Sequence, residues 1–236
     1  MSDRPLADTI AANLAAVRSR IERAARDAGR DPATVRLIAV SKTFGVEHVQ
    51  AAAAAGQRDF GENRVQEALP KIEAAGPLEL RWHLIGHLQS NKARKCIGPF
   101  ALIQSLDSLE LLRRLDLAAV ERASRIDVLV QVDLAGEATK FGLPPETLDT
   151  LLDEATGCQG LRLRGLMLLP PFFDDPELTR PYFQRLRGLR DRLVSKGRAP
   201  DTLCELSMGM SHDFEVAIAE GATMVRVGTA IFGSRG

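Results

Sequence analysis

The sequence has little cysteine and no net charge, and each of these features argues against a class of protein. Its three cysteines, Cys96, Cys158 and Cys204, are odd in number, lie far apart and form no CxxC pair. This pattern disfavours both a disulfide framework and a zinc site. Thirty-one Lys and Arg residues balance thirty-one Asp and Glu residues, so composition gives no argument for nucleic acid or an anionic membrane surface as a partner.

Three further features are missing. No apolar run approaches the roughly 20 residues of a membrane span. The opening residues, MSDRPLADTIAANL, are polar and acidic where a signal peptide would have a basic end. His83 and His87 are spaced i and i+4 but lack the HExxH context of a zinc enzyme. We therefore expect a cytoplasmic protein that binds no metal and no membrane.

What the sequence does contain is a regular alternation of strand-like and helix-like segments. Eight apolar runs predict strands: LIAVS, RDFGEN, WHLIG, ALIQSL, DVLVQVDL, LRLRGLMLLPP, LCELSM and ATMVRVGTAIFG. Predicted helices cover 6–29, 46–55, 64–75, 91–96, 108–123, 146–156, 181–196 and 212–220, and GEATKFGLPP reads as a loop after strand five. The second and fourth strands are the weakest, because one has few apolar residues and the other has a central serine.

This alternation predicts a parallel sheet. Eight units in 236 residues favour a closed (β/α)8 TIM-type barrel over an open doubly wound sheet, and no GxGxxG follows the first strand. We predict an α/β protein with one domain over residues 1–236, in which residues 1–30 form an extra N-terminal helix packed on the barrel.

Lys42 stands immediately after the first strand, in LIAVSKT. A barrel would place it at the strand's C-terminal mouth, where such folds build their sites. A lysine partly withdrawn from water has a lowered pKa and becomes an amine nucleophile. The alternative is a strand-end lysine whose ammonium stays in water while its stem lies on the rim. The heptapeptide alone favours this alternative.

Strands seven and eight carry residues suited to a phosphate group. Strand seven leads into SMGMSHDF and strand eight contains RVGT, and barrels of this type often hold phosphate after these two strands. Backbone amides, glycine and hydroxyls together predict a phosphate at Ser211, Gly228 and Thr229. An equally good interpretation is that Gly209 and Gly228 serve tight turns, while Ser207 and Ser211 cap a helix.

A reactive lysine facing a phosphate site suggests a phosphorylated carbonyl compound held as an imine. Pyridoxal 5′-phosphate (PLP) and the sugar phosphate substrate of an aldolase both fit this description. Arg226 favours PLP, because cofactor sites commonly place an Asp or Arg against the pyridine nitrogen. Its alternative role is an ion pair with a carboxylate such as Glu205 or Glu215.

Several motifs resemble one known family in order and spacing. These are LIAVSKT, FGENRVQE, WHLIGHLQSNK, the GLM of strand six, and LSMGMSHDFEVAIAEGATMVRVGTAIFG. They resemble the pyridoxal phosphate homeostasis protein family, a single-domain barrel similar to the N-terminal domain of alanine racemase. The resemblance implies nine cofactor-binding residues: Lys42, Asn63, Met167, Ser207, Met210, Ser211, Arg226, Gly228 and Thr229.

The resemblance also implies their roles. Lys42 would hold PLP as a Schiff base, and Arg226 would face the pyridine nitrogen. Ser211, Gly228 and Thr229 would hold the phosphate with Ser207 and Met210 close by, while Asn63 and Met167 would approach the ring.

From this we expect a protein of intracellular vitamin B6 homeostasis without strong catalytic activity, which could exchange PLP with PLP-dependent apoenzymes. We also expect a monomer. The alternative is a PLP-dependent amino acid racemase-like enzyme. Such a racemase needs a second base, a tyrosine from an additional domain, and the only tyrosine here, Tyr182, is predicted to lie in a helix after strand six. The aldolase is a third, weaker possibility.

Overall fold

Eight parallel strands pair in sequence order and close into a barrel in the computed structural model, which describes residues 3–136 and 141–233. The strands are β1 Arg36–Val40, β2 Asp59–Glu62, β3 Arg81–Leu84, β4 Leu102–Leu106, β5 Ile126–Gln131, β6 Leu161–Met167, β7 Glu205–Met210 and β8 Met224–Val227. β1 pairs with β8, with Arg36 beside Met224, and this pairing closes the ring. The predicted (β/α)8 barrel is confirmed, including the two weakest strands.

Helices connect the strands and cover the outside of the barrel. Within the described ranges they are α1 Asp3–Asp27, α2 Val46–Ala54, α3 Val65–Ala74, α4 Ala93–Cys96, α5 Leu109–Glu121, α6 Leu148–Ala155, α7 Arg180–Ser195, α8 Phe214–Ala219 and α9 Thr229–Phe232. No helix in these ranges is both long enough and apolar enough to cross a membrane. Residues 137–140, within the loop predicted after strand five, lie outside the described residues.

Strand residues alternate between the helix layer and the barrel interior, because successive side chains leave a strand on opposite faces. The outward residues join the large core beneath the helices. The inward residues form a small apolar cluster of Ile38, Leu102, Leu129, Met167 and Met224. The same interior also holds buried polar side chains, among them those of His83, Gln104, Ser207 and Arg226.

Helix α1 precedes the barrel and packs against its outer helices. Its buried residues, Ile10, Leu14, Val17, Ile21 and Ala25, follow the three-and-four spacing of one helix face. Polar contacts add to this packing. Arg20 pairs with Glu215 of α8 at 2.6 Å, and the Asn13 amide donates to the Ile231 carbonyl of α9 at 2.9 Å. The extent of a single domain over 1–236 stays a prediction.

The C-terminal segment differs from the prediction in one respect. ATMVRVGTAIFG was predicted as one strand, but β8 ends at Val227 and Thr229–Phe232 form the short helix α9. Gly228 has φ −117° and ψ −73°, which takes the chain out of the extended conformation. Ile231 and Phe232 are buried in the outer core, so tertiary packing decides the conformation of this short apolar stretch.

Candidate cofactor site at the C-terminal mouth of the barrel

A cavity of about 610 Å³ opens at the C-terminal ends of the strands. Seven of the nine residues predicted to bind a cofactor line it: Lys42, Asn63, Met210, Ser211, Arg226, Gly228 and Thr229. They come from β1, β2, β7 and β8 or from the residues just after them. Residues more than 180 positions apart in sequence therefore share one wall because the barrel closes between β1 and β8.

Lys42 lies two residues beyond β1, at a sharp turn. The Phe44 N–H donates to the Ser41 carbonyl at 3.2 Å, and Thr43 adopts the left-handed region with φ 72°. Ser41 is fully buried, whereas Lys42 is half-buried. The turn thus presents the Lys42 side chain to the cavity from a buried strand end.

A buried ion pair supports this strand end. The Lys71 ammonium of α3 lies 2.6 Å from Glu62 Oε1 and 2.8 Å from the Ser41 carbonyl oxygen. The Ser41 hydroxyl donates to the same Glu62 oxygen at 2.7 Å. The side-chain hydroxyl and the main-chain carbonyl of Ser41, the residue before Lys42, are therefore each hydrogen-bonded to a charged group. This cluster was not predicted from the sequence.

The Arg226 side chain points from β8 into the barrel interior and forms part of the cavity wall on its buried side. Its Nη1 donates to the Ser207 hydroxyl at 2.5 Å, and its Nη2 donates to the Leu168 carbonyl at 2.8 Å. Burial lowers the pKa of Arg226 to about 10, partly opposed by the charge of Asp213. The guanidinium therefore remains charged at neutral pH.

The alternative role for Arg226, an ion pair with Glu205 or Glu215, is wrong. Glu215 pairs with Arg20 at 2.6 Å. Glu205 accepts a hydrogen bond from Thr223 at 2.5 Å. Neither carboxylate contacts Arg226, because alternation along the strand turns the Arg226 side chain inward.

The residues predicted to hold phosphate meet at one end of the cavity. The Gly228 amide donates to the Ser211 hydroxyl at 3.2 Å, and Thr229 begins α9 directly after it. The alternative helix-cap role is wrong for Ser207 and Ser211, since Ser207 lies within β7 and the cap residue of α8 is Asp213. The turn interpretation is wrong for Gly209, which lies within β7, where it has φ +91° and packs against α8.

Two predicted residues do not reach the cavity wall. Met167 and Ser207 are both fully buried in the barrel interior. Met167 belongs to the inner apolar cluster, and Ser207 approaches the cavity only through its hydrogen bond with Arg226. Their contact with a cofactor stays a prediction.

Aromatic residues at the mouth were also missed. Phe141 stacks on His87 with ring centroids 3.7 Å apart, and Phe172 lies 5.5 Å from His212. All four line the cavity. Their signal in the sequence is faint, since it consists of one or two aromatic residues in each of the loops that follow strands.

Comparison with known proteins identifies the family. Residues 12–236 match the family model of the alanine racemase N-terminal domain. A pyridoxal phosphate homeostasis protein of Pseudomonas aeruginosa is 47% identical over 227 residues, which are 96% of each chain. The chain belongs to the pyridoxal phosphate homeostasis protein family. The resemblance found from the motifs is thus confirmed.

Solved structures place the family within a wider fold group. PipY of Synechococcus elongatus, solved with PLP bound, is 42% identical, with a TM-score of 0.84 over 95% of this chain and 100% of PipY. Alanine racemase of Clostridium difficile is 17% identical, with a TM-score of 0.75 over 97% of this chain and 60% of the racemase. At that identity, the racemase shares the fold alone with the family.

Proposed function

We propose that this chain binds PLP, carries it as a Schiff base on Lys42, and serves intracellular vitamin B6 homeostasis. The observation that carries the proposal is that an amine, a buried guanidinium and a hydroxyl-and-amide pocket line a single cavity. PLP is the cofactor named for the solved relative PipY, and the curated relatives are named for its homeostasis.

The donor set suits PLP at three points. PLP supplies an aldehyde, a pyridine nitrogen and a phosphate, and Lys42 offers the amine for the first. Arg226 is buried, charged and a donor only, so it can meet the pyridine nitrogen without protonating it. Ser211, Gly228 and Thr229 offer hydroxyl and amide donors to the phosphate.

We propose that the protein binds PLP without catalysing a reaction. An arginine opposite the pyridine nitrogen leaves the ring neutral and therefore a weaker electron sink. The racemase-like alternative is not favoured, because curated relatives 41–47% identical carry homeostasis names while the racemase shares only the fold. We further propose that the protein works as a cytoplasmic monomer that exchanges PLP with apoenzymes.

An absorbance spectrum tests the binding proposal. Protein loaded with PLP should show the visible band of an imine, and hydroxylamine should abolish that band. Lys42→Ala should lack it under the same loading. An unchanged band in Lys42→Ala would overturn the assignment of Lys42.

The phosphate end is tested by a pair of ligands. Ser211→Ala should weaken binding of PLP by about tenfold, since it removes one hydrogen bond to a charged group. Binding of pyridoxal, which has no phosphate, should be the same in the variant and the unaltered protein. Equal losses for both ligands would show that Ser211 acts on the fold and not on the phosphate.

The proposal that PLP binding is non-catalytic has its own experiment. Candidate L-amino acids are incubated with loaded protein in deuterated water, and exchange at Cα is followed. We expect no exchange above the rate of free PLP. Exchange that is lost in Lys42→Ala would establish an enzyme.

A further inference from the structure

A continuous chain of hydrogen bonds crosses the barrel interior from Arg226 to the opposite end. Arg226 Nη1 contacts Ser207 Oγ at 2.5 Å, and Ser207 Oγ contacts Gln104 Oε1 at 2.6 Å. Gln104 Nε2 lies 3.1 Å from His83 Nδ1, and His83 Nε2 lies 3.0 Å from Asp59 Oδ1. All five residues are buried. The chain starts at the candidate cofactor site and ends at the N-terminal ends of the strands.

With the Gln104 amide oriented as in the structure, the chemistry of each group allows one direction of donation along this chain. A guanidinium donates and cannot accept, so the Ser207 oxygen accepts from Arg226 and its own proton goes to Gln104 Oε1. The Gln104 amide nitrogen then faces His83 Nδ1 as a donor, so Nδ1 carries no proton. His83 is therefore neutral, with its proton on Nε2 and donated to Asp59.

The opposite orientation of the Gln104 side-chain amide is disfavoured by its contacts with His83 and with Ser207. Turning Gln104 over would set its oxygen against His83 Nδ1 and require an imidazolium. It would also set the amide nitrogen against Ser207 and remove the oxygen that accepts the Ser207 proton. The second Gln104 N–H faces the sulfur of Met224 at 3.8 Å, which a carbonyl oxygen could not use. This orientation gives the Ser207 proton, both Gln104 N–H groups and His83 Nδ1 a partner.

The charges around His83 also favour its neutral form. Burial lowers the pKa of His83, and Asp59 on β2 opposes this effect. Arg36 on β1 and Arg81 on β3 lower the pKa further. Arg81 also binds both oxygens of Asp59, at 2.8 and 2.5 Å, so the carboxylate is shared between two donors.

We propose that Gln104 and His83 are positioning residues for Arg226, which they hold by fixing the direction of the Ser207 hydroxyl. Neither residue lines the cavity, so both act through Arg226 and touch no cofactor. This inference rests on the proposed function, since it assigns the guanidinium a ligand. The inference adds that residues at the centre of the barrel set the orientation of the Arg226 guanidinium, which would contact the pyridine nitrogen.

Nitrogen NMR of the imidazole tests the direction of the chain in protein without added PLP. We expect His83 to be the neutral tautomer with its proton on Nε2 from pH 6 to pH 8. An imidazolium, or a proton on Nδ1 alone, would overturn the inference. This readout does not depend on whether the protein binds PLP.

Two substitutions at Gln104 then separate positioning from packing. In Gln104→Glu one carboxylate oxygen still accepts from Ser207, and the other faces Nδ1, so His83 becomes an imidazolium between two carboxylates. PLP affinity should stay within about twofold. Gln104→Leu leaves the Ser207 hydroxyl without its acceptor, and PLP affinity should fall about tenfold or more.

A matched control is Gln57→Leu. Gln57 is also buried, but its amide nitrogen donates only to the carbonyls of Leu37 and Asp59. We expect it to lower stability and leave PLP affinity unchanged. Unaltered affinity in Gln104→Leu would overturn the inference, and so would an equal loss in Gln104→Glu. If Gln104→Leu does not fold, a loss of PLP affinity in Gln104→Glu or the wrong His83 tautomer would still overturn the inference. Absence of PLP binding in the unaltered protein would instead refute the proposed function.

Discussion

Lys71→Met should be one of the most destabilising single changes in this protein. Lys71 and Glu62 have side chains exposed by only 8% and 0%, and their charged atoms are 2.6 Å apart. Without the ammonium, the Ser41 hydroxyl is the one donor to Glu62 Oε1 that remains among the described residues, and Oε2 has no hydrogen-bond partner among them. The substitution therefore leaves a buried carboxylate almost without donors.

The expected loss is about 3–5 kcal/mol in the free energy of unfolding, which is typical of removing one partner of a buried pair. Because whole domains are stable by only about 5–15 kcal/mol, this is a large share. For a chain of this length the melting temperature should fall by about 6–20 °C. PLP affinity should fall as well, since Lys71 also holds the carbonyl of the residue before Lys42.

Urea denaturation followed by circular dichroism measures the loss. The double variant Glu62→Leu with Lys71→Met should recover much of it, because replacing both partners with apolar groups removes the unpaired charge. Lys196→Met is a matched control, since Lys196 is 68% exposed and lies 3.8 Å from Asp149, and it should cost less than about 1 kcal/mol. A loss below about 1 kcal/mol for Lys71→Met would refute the reasoning.

Two further predictions concern stability elsewhere in the barrel. Burial alone would raise the pKa of Asp59, but hydrogen bonds from His83 and Arg81 lower it from 3.8 to about 2. The resulting stability, about 2 kcal/mol, is present above pH 4 and lost as the pH falls towards 2, so acid titration should show a smaller loss in Asp59→Asn. Gly209→Ala should cost about 1–3 kcal/mol more than Gly197→Ala in urea denaturation. Both glycines have positive φ, but a Cβ at Gly209 would lie 2.6 Å from a side chain of α8, whereas Gly197 has open space.

The barrel and most of the cavity wall could be predicted from the sequence because both depend on local signals. A strand in a covered parallel sheet is almost continuously apolar, and the residue after such a run must lie at the rim. Lys42 and Ser211 follow strands and Arg226 lies near the end of one, so all three could be predicted to line one cavity, as they do. The short helix α9 was missed because Thr229–Phe232 is too short to show helical periodicity.

The buried polar groups could not be predicted in the same way. Glu62 and Lys71 read locally as a strand-end carboxylate and a charged helix residue, and only the packing of α3 brings them together. Gln104 interrupts the apolar pattern of strand four, and His83 does the same in strand three. Those interruptions are visible in the sequence, but their partners lie on other strands, so their purpose follows only from the closed barrel.

The site at which PLP becomes attached tests the central claim most directly. Loaded protein is reduced with borohydride, digested, and the modified peptide is mapped by mass spectrometry. We expect one phosphopyridoxyl group per chain, attached to Lys42. The other five lysines should remain unmodified. Attachment at a different lysine, or no attachment in protein that has bound PLP, would contradict the account.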